Sequence, residues 1–221
     1  MNRNPLGFIS QIATGVAVAA LLAAAVPASA QSQSPQSPQA VQTAQVSADL
    51  LSDRVLGKTD APVTIIDYSS MTCPHCATFH TEVLPKLKEK YIDTGKVKLV
   101  FRDFPLDQVA LRASMMARCA PPDRYFPLLD VLFKNQGKWM QAADPQKALT
   151  QYGKLAGMQQ ATIESCLADQ SLADGLLNIR LQAQEEHKVR STPTFVLNDD
   201  TRIEGAQSVE VFSEAIDKLL P

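Results

Sequence analysis

The sequence predicts an α/β fold built as a βαβ unit, an all-helical block and a closing ββα unit. Three features of its patterning carry that prediction. The run Val63 to Tyr68 is rich in β-branched residues and nearly continuous in apolarity, as expected of a strand covered on both faces. The section from Val109 to His187 has apolar residues at helical spacing and no strand pattern. The β pattern returns at Thr194, and the chain ends in an amphipathic helix. There is no repeat period.

The 221 residues divide unevenly. Residues 1–30 read as a secretory signal peptide. Arg3 supplies a weak positive segment, Ile12 to Val26 an uncharged apolar stretch, and Ala28-Ser29-Ala30 a small-residue cleavage site. A retained membrane anchor is the alternative, although the stretch is short against the about 20 apolar residues that a spanning helix needs. Residues 31–48 are uncharged and rich in Gln, Ser and Pro, which predicts a disordered tether. The remainder is enough for one sizeable core. Residues 49–107 and 188–221 are expected to form the α/β domain, and 108–187 the inserted helical domain. The net charge of −2 becomes −3 without Arg3, and no run of Lys or Arg marks a nucleic-acid partner. All four cysteines follow the export segment, in a compartment where disulfides persist.

Taken in order, Arg54 to Leu56 reads as a short edge strand and Gly57 to Pro62 as a turn. Val63 to Tyr68 is the central strand. Its Asp67 has two readings, a strand-end acid that reaches water or a partly buried carboxylate beside the cysteines. The following helix is expected to reach about Thr94, bent at Pro85 and ended by Gly95. Val97 to Phe101 is the next strand. Helices are expected over Val109–Ala120, Arg124–Asn135, Pro145–Leu155 with Asp144 as N-cap, Thr162–Leu167 and Ser171–His187. Trp139 falls in a polar stretch predicted to be a loop. Thr194–Leu197 and Thr201–Glu204 pair as a hairpin around Asn198-Asp199-Asp200. The last helix, Val209–Leu220, presents Val211, Phe212, Ile216, Leu219 and Leu220 as its apolar positions.

Cys73-Pro74-His75-Cys76 sits where the central strand gives way to the helix. That junction places the first sulfur near unpaired backbone N–H groups and the positive end of the helix dipole, which favour a thiolate. The two cysteines lie on one helical face, close enough to form a small disulfide. Zinc would need two more ligands, and neither His80 nor His187 has ligand spacing. A c-type haem needs His where Ala77 stands. A purely structural bridge would close too small a loop to constrain much. Thiol–disulfide exchange fits the βαβ context best, with no cofactor and no metal. Cys119 and Cys166 either bridge two helices, closing a loop of roughly 46 intervening residues, or stay free and buried; the exported compartment favours the bridge.

Together with Ser191-Thr192-Pro193-Thr194-Phe195 ahead of the late hairpin, and Phe101-Arg102-Asp103-Phe104-Pro105 after the second strand, the cysteine motif resembles that of the DsbA-like thiol:disulfide oxidoreductases. These have a thioredoxin fold with a helical domain inserted, and the resemblance covers residues 49–221. It implies that Cys73 is the nucleophile, Cys76 the resolving cysteine, and Pro74-His75 the dipeptide of the oxidising members. His75 is expected to lower the Cys73 pKa by hydrogen bonding or charge, although a solvated helix-start residue is its simpler role. Asp67 would help move the Cys76 proton. Thr192 and Pro193 would form the cis-proline loop where an extended substrate pairs as an added strand. A second disulfide, as Cys119 and Cys166 would form, occurs in some relatives.

The resemblance implies a monomeric periplasmic oxidase. It would act on folding proteins with free thiols and be reoxidised by a DsbB-like, quinone-linked membrane partner. A disulfide isomerase or reductase, and a chaperone-like thioredoxin-fold binder, are the alternatives. Thr192 occurs in isomerases as well as oxidases, and so does not set the direction.

Overall fold

The computed structural model describes residues 49–198 and 200–221. The expected signal peptide, the tether and Asp199 lie outside the described residues. A five-stranded sheet organises the molecule. Its strands are β1 (Arg54–Leu56), β2 (Val63–Ser69), β3 (Val97–Asp103), β4 (Thr194–Leu197) and β5 (Thr201–Glu204). They lie in the order β1-β3-β2-β4-β5, with β2 parallel to β3 and the other pairs antiparallel. β1 is the short edge strand expected over Arg54–Leu56. β3 extends two residues past the expected Phe101, because Arg102 and Asp103 stay in register with Tyr68 and Ser69.

β2 is buried on both faces, as its apolar run required. Val63 and Ile65 pack with Leu99 and Phe101 into the main core. Ile66 and Tyr68 face the other way, against Val100, Phe104, Ala183 and Val189. The period of two puts Asp67 on the Val63–Ile65 side, toward the main core.

Residues 74–92 form one composite helix, α1. It runs through Pro74–Thr78, a widened π-type turn over Phe79–Val83, Leu84–Leu87, and a second widened turn over Lys88–Ile92. Pro85 cannot donate a hydrogen bond, and the widened turn just ahead of it absorbs the interruption. Gly95, at φ +77, closes the end in a conformation that a side chain would disfavour.

Between β3 and β4 lie α2 (Gln108–Arg118), a 3₁₀ turn over Pro122–Arg124, α3 (Tyr125–Lys134), α4 (Gln136–Met140), α5 (Pro145–Leu155), α6 (Gln160–Leu167) and α7 (Gln170–Glu186). Asp107, Asp144 and Asp169 cap α2, α5 and α7 by accepting backbone N–H groups. α8 (Val209–Leu219) packs Phe212 and Ile216 inward.

Two expectations need correction. Trp139 is not in a loop: it belongs to α4, is 1% exposed, and donates its indole N–H to the Leu132 carbonyl at 2.8 Å. Its polar neighbours hid a short helix that turns Trp139 inward. Val211 is 42% exposed and lies outside the apolar stripe of α8.

Arg118 supplies long-range ties between the helical block and the rest of the chain. Arg118 in α2 pairs with Asp103 at the end of β3 at 2.7 Å, with both side chains 1% exposed. The same guanidinium donates to the carbonyls of Leu50 and Ser52. Within the block, Cys119 and Cys166 form a disulfide between the end of α2 and α6, with Cα atoms 6.3 Å apart.

Replacing both of these cysteines, Cys119→Ala and Cys166→Ala, should cost about 3–4 kcal/mol on the loop-entropy model. Urea unfolding of the double variant, with Cys73 and Cys76 held in one redox state, measures the loss. An unchanged free energy would mean that the bridge constrains the unfolded chain no more than its residual structure already does.

Candidate active site

Cys73 occupies the N-cap of α1 with an extended backbone, φ −80 and ψ 121. Pro74 follows in the first turn, where its missing N–H costs nothing. The Cys73 thiol is brought down to a pKa of about 5. The largest cause is the Cys76 S–H, which donates to the Cys73 thiolate. Burial acts against it, while the Thr192 hydroxyl and the backbone N–H groups of Cys76 and His75 add to the lowering. His75 contributes through its backbone; its exposed imidazole is not among the causes.

Cys76 is fully buried, one turn inside α1. Its thiol is pushed well above the ordinary range, first by burial, then by the Cys73 thiolate and the charge of Asp67. The Ser70 N–H points at its sulfur from 3.5 Å. Two cysteines three residues apart thus differ sharply in acidity.

The loop before β4 completes the front of the site. The Thr192–Pro193 peptide bond is cis, and the Thr192 carbonyl accepts from the Cys73 thiol at 3.3 Å. The Thr192 hydroxyl is buried with no hydrogen-bond partner among the described residues, which leaves it available to the Cys73 thiolate.

Asp67 is fully buried, so it does not reach water. It accepts a hydrogen bond from the Ser69 hydroxyl and lies 2.9 Å from His80 Nε2. His80 sits in the first widened turn of α1, one helical turn beyond Cys76 on the same helix. Sequence reasoning considered it only as a metal ligand; its spacing of four from Cys76 was the available signal.

Gln136, from α4, had no such signal. Its side-chain amide donates to the carbonyls of Met71 and Cys73 at 2.9 and 3.0 Å, clamping the turn ahead of α1. Thr72 is held by Asp107, which also caps α2. The structure therefore brings together Cys73, Cys76, Asp67, Thr192 and Pro193, with Pro74 and His75 at the surface. Cys119 and Cys166 are bonded to each other within the helical block.

A family model described as thioredoxin matches residues 50–218. A structure of alpha-DsbA1 from Wolbachia pipientis is 33% identical, superposes with a TM-score of 0.70, and covers 76% of this chain and 90% of its own. The chain belongs to the DsbA-like branch of the thioredoxin family. A Rickettsia bellii relative named a protein-disulfide oxidoreductase is 35% identical over 174 residues, 76% of this chain and 65% of its own length. The disulfide bond formation protein D of Bacillus subtilis is 27% identical over 178 residues, 75% of this chain and 76% of its own. The chain spans somewhat under two thirds of the length of the rickettsial relatives it matches. Membership fits the inserted helical block between β3 and β4 and the Cys73–Cys76 pair facing a cis-proline, as expected of a DsbA-like fold.

Alkylation of the reduced protein by iodoacetamide should titrate at Cys73 with a midpoint near pH 5. A midpoint in the ordinary range, about 8.5, would remove the asymmetry. Stability should follow with a definite sign. A thiol whose pKa is lower in the folded state stabilises that state above its unfolded pKa of about 8.5, and the gain is lost as pH falls through the folded value. Melting of dithiol and disulfide forms compared from pH 5 to 8 should show the dithiol form gaining, by up to about 1.4 kcal/mol per pH unit.

Proposed function

We propose that this protein is an exported thiol:disulfide oxidase that donates its Cys73–Cys76 disulfide to folding proteins in the periplasm. The observation that carries the reading is the acidity of Cys73 beside the suppressed acidity of Cys76. A thiolate stabilised in the dithiol form favours that form, and so makes the disulfide a stronger oxidant. The signal-peptide pattern read in the sequence of residues 1–30 supports the compartment.

The reaction balances as follows. A substrate thiolate attacks Cys73 Sγ, and the bond to Cys76 breaks. Its electron pair stays on the Cys76 sulfur, which takes up a proton with Asp67 as the carrier. A second substrate thiolate then attacks the substrate sulfur of the mixed disulfide. Cys73 leaves as a thiolate, held by the N–H groups of the first turn of α1, and the substrate carries the new disulfide. Thr192 and Pro193 offer backbone on which an extended substrate segment lies as an added strand. Reoxidation would come from a DsbB-like, quinone-linked membrane partner, and the protein would act as a monomer.

Equilibration of the purified protein with glutathione gives the reduction potential. A value far more oxidising than that of thioredoxin, about −270 mV, is expected; a value near it would turn the reading toward a reductase or isomerase. Cys73→Ser should abolish oxidation of a dithiol peptide. A Cys73→Ser protein that still supported disulfide formation in cells would leave only a chaperone-like binder.

A further inference from the structure

The chemistry above uses the buried groups only as far as Asp67, but they continue. His80 Nε2 faces Asp67 with the two side chains 1% and 0% exposed. Phe133 stacks on the imidazole at 4.2 Å, while Phe79 and Phe101 meet it edge-on. The ring is held in one orientation. Its other nitrogen, Nδ1, is buried and has no hydrogen-bond partner among the described residues. A native buried polar atom left unpaired is uncommon and calls for a reason.

His80 also lines a groove of about 480 Å³ between α1 and α3. Lys88 on α1, and Asp130 and Lys134 on α3, are the charged groups that line it. Neither cysteine nor the Thr192–Pro193 loop belongs to its walls. Burial raises the pKa of the Asp130 carboxyl, with the charges of His80 and Lys88 acting against the rise. The imidazole has one nitrogen on the buried acid and the other unpaired, and its residue lines the groove, the arrangement a proton shuttle requires.

We propose that His80 passes protons between this groove and Asp67, so that Cys76 exchanges its proton through the back of the molecule. The inference rests on the disulfide-exchange reading and adds a route to it. Cys76 is fully buried, and a substrate joined to Cys73 would occupy the front. When the Cys73–Cys76 bond breaks, Cys76 takes a proton from Asp67. Asp67 is refilled from His80 Nε2, and His80 Nδ1 is refilled from water in the groove. One proton enters for each Cys76 thiolate quenched, and reoxidation runs the path outward.

The test is single-turnover reduction of the disulfide by a cysteine peptide, followed by stopped flow. His80→Ala should slow the reaction on the order of 10²-fold, the scale of a lost acid–base group. Added imidazole, entering by the groove, should restore much of the rate. An unchanged rate, or a slowed one indifferent to imidazole, overturns the relay. In unaltered protein labelled with ¹⁵N-histidine, the His80 ring signals should differ between disulfide and dithiol forms. Identical signals overturn the relay even if His80→Ala does not fold. If the unaltered disulfide fails to react with the peptide at all, the oxidoreductase reading falls instead. If it reacts and His80→Ala keeps pace, only the relay falls.

Discussion

The position of the first turn of α1 governs the site. A helix begins with N–H groups that no carbonyl of its own can accept. Here they face the sulfur of the residue at the N-cap, Cys73. One turn later the same helix has moved inward, and Cys76 lies under it with no exposure. Starting α1 one residue earlier or later would place a different side chain at the cap and rotate Cys76 away from β2. The sharp difference between two neighbouring thiols is thus a consequence of where a helix starts. The sheet, the cis-proline loop and the helical block hold that start in place.

The parts legible in the sequence were those encoded by near neighbours. β2 announced itself by its continuous apolar run, α1 by its periodicity after the cysteines, and the late hairpin by its turn residues. Asp67 was half legible. Its place in the strand was clear, but only the alternation that points Val63 and Ile65 into the main core decides that it faces inward too. Groups acting across long stretches of sequence left no local trace. Gln136 serves two backbone carbonyls, which no side-chain pattern reveals. His75 is the opposite case: its side chain lies at the surface, while its backbone N–H acts on the sulfur.

The helical block does more than extend the domain. Through Arg118 it binds Asp103 at the end of β3 and the carbonyls of Leu50 and Ser52. An ion pair this deeply buried stabilises little against an apolar substitute, but removing one partner strands a charge. It therefore makes the block and the sheet hard to separate. Phe133, from α3, fixes the ring of His80. Residues remote from the cysteine motif thus set the surroundings of both the buried acid and its partner.

The amide of Gln136 reaches back 63 residues to the carbonyl of Cys73. A chain made from its N-terminus exposes the cysteines well before that amide exists, and longer still before Thr192 arrives. Early in synthesis, Cys73 therefore lacks both the clamp on its carbonyl and its contact with Thr192. The lowering that comes from Cys76 and from the first-turn N–H groups is local to the motif, whereas the share from Thr192 arrives with the last part of the chain. The fold thus completes the site in stages, the cysteine pair first and the loop that faces it last.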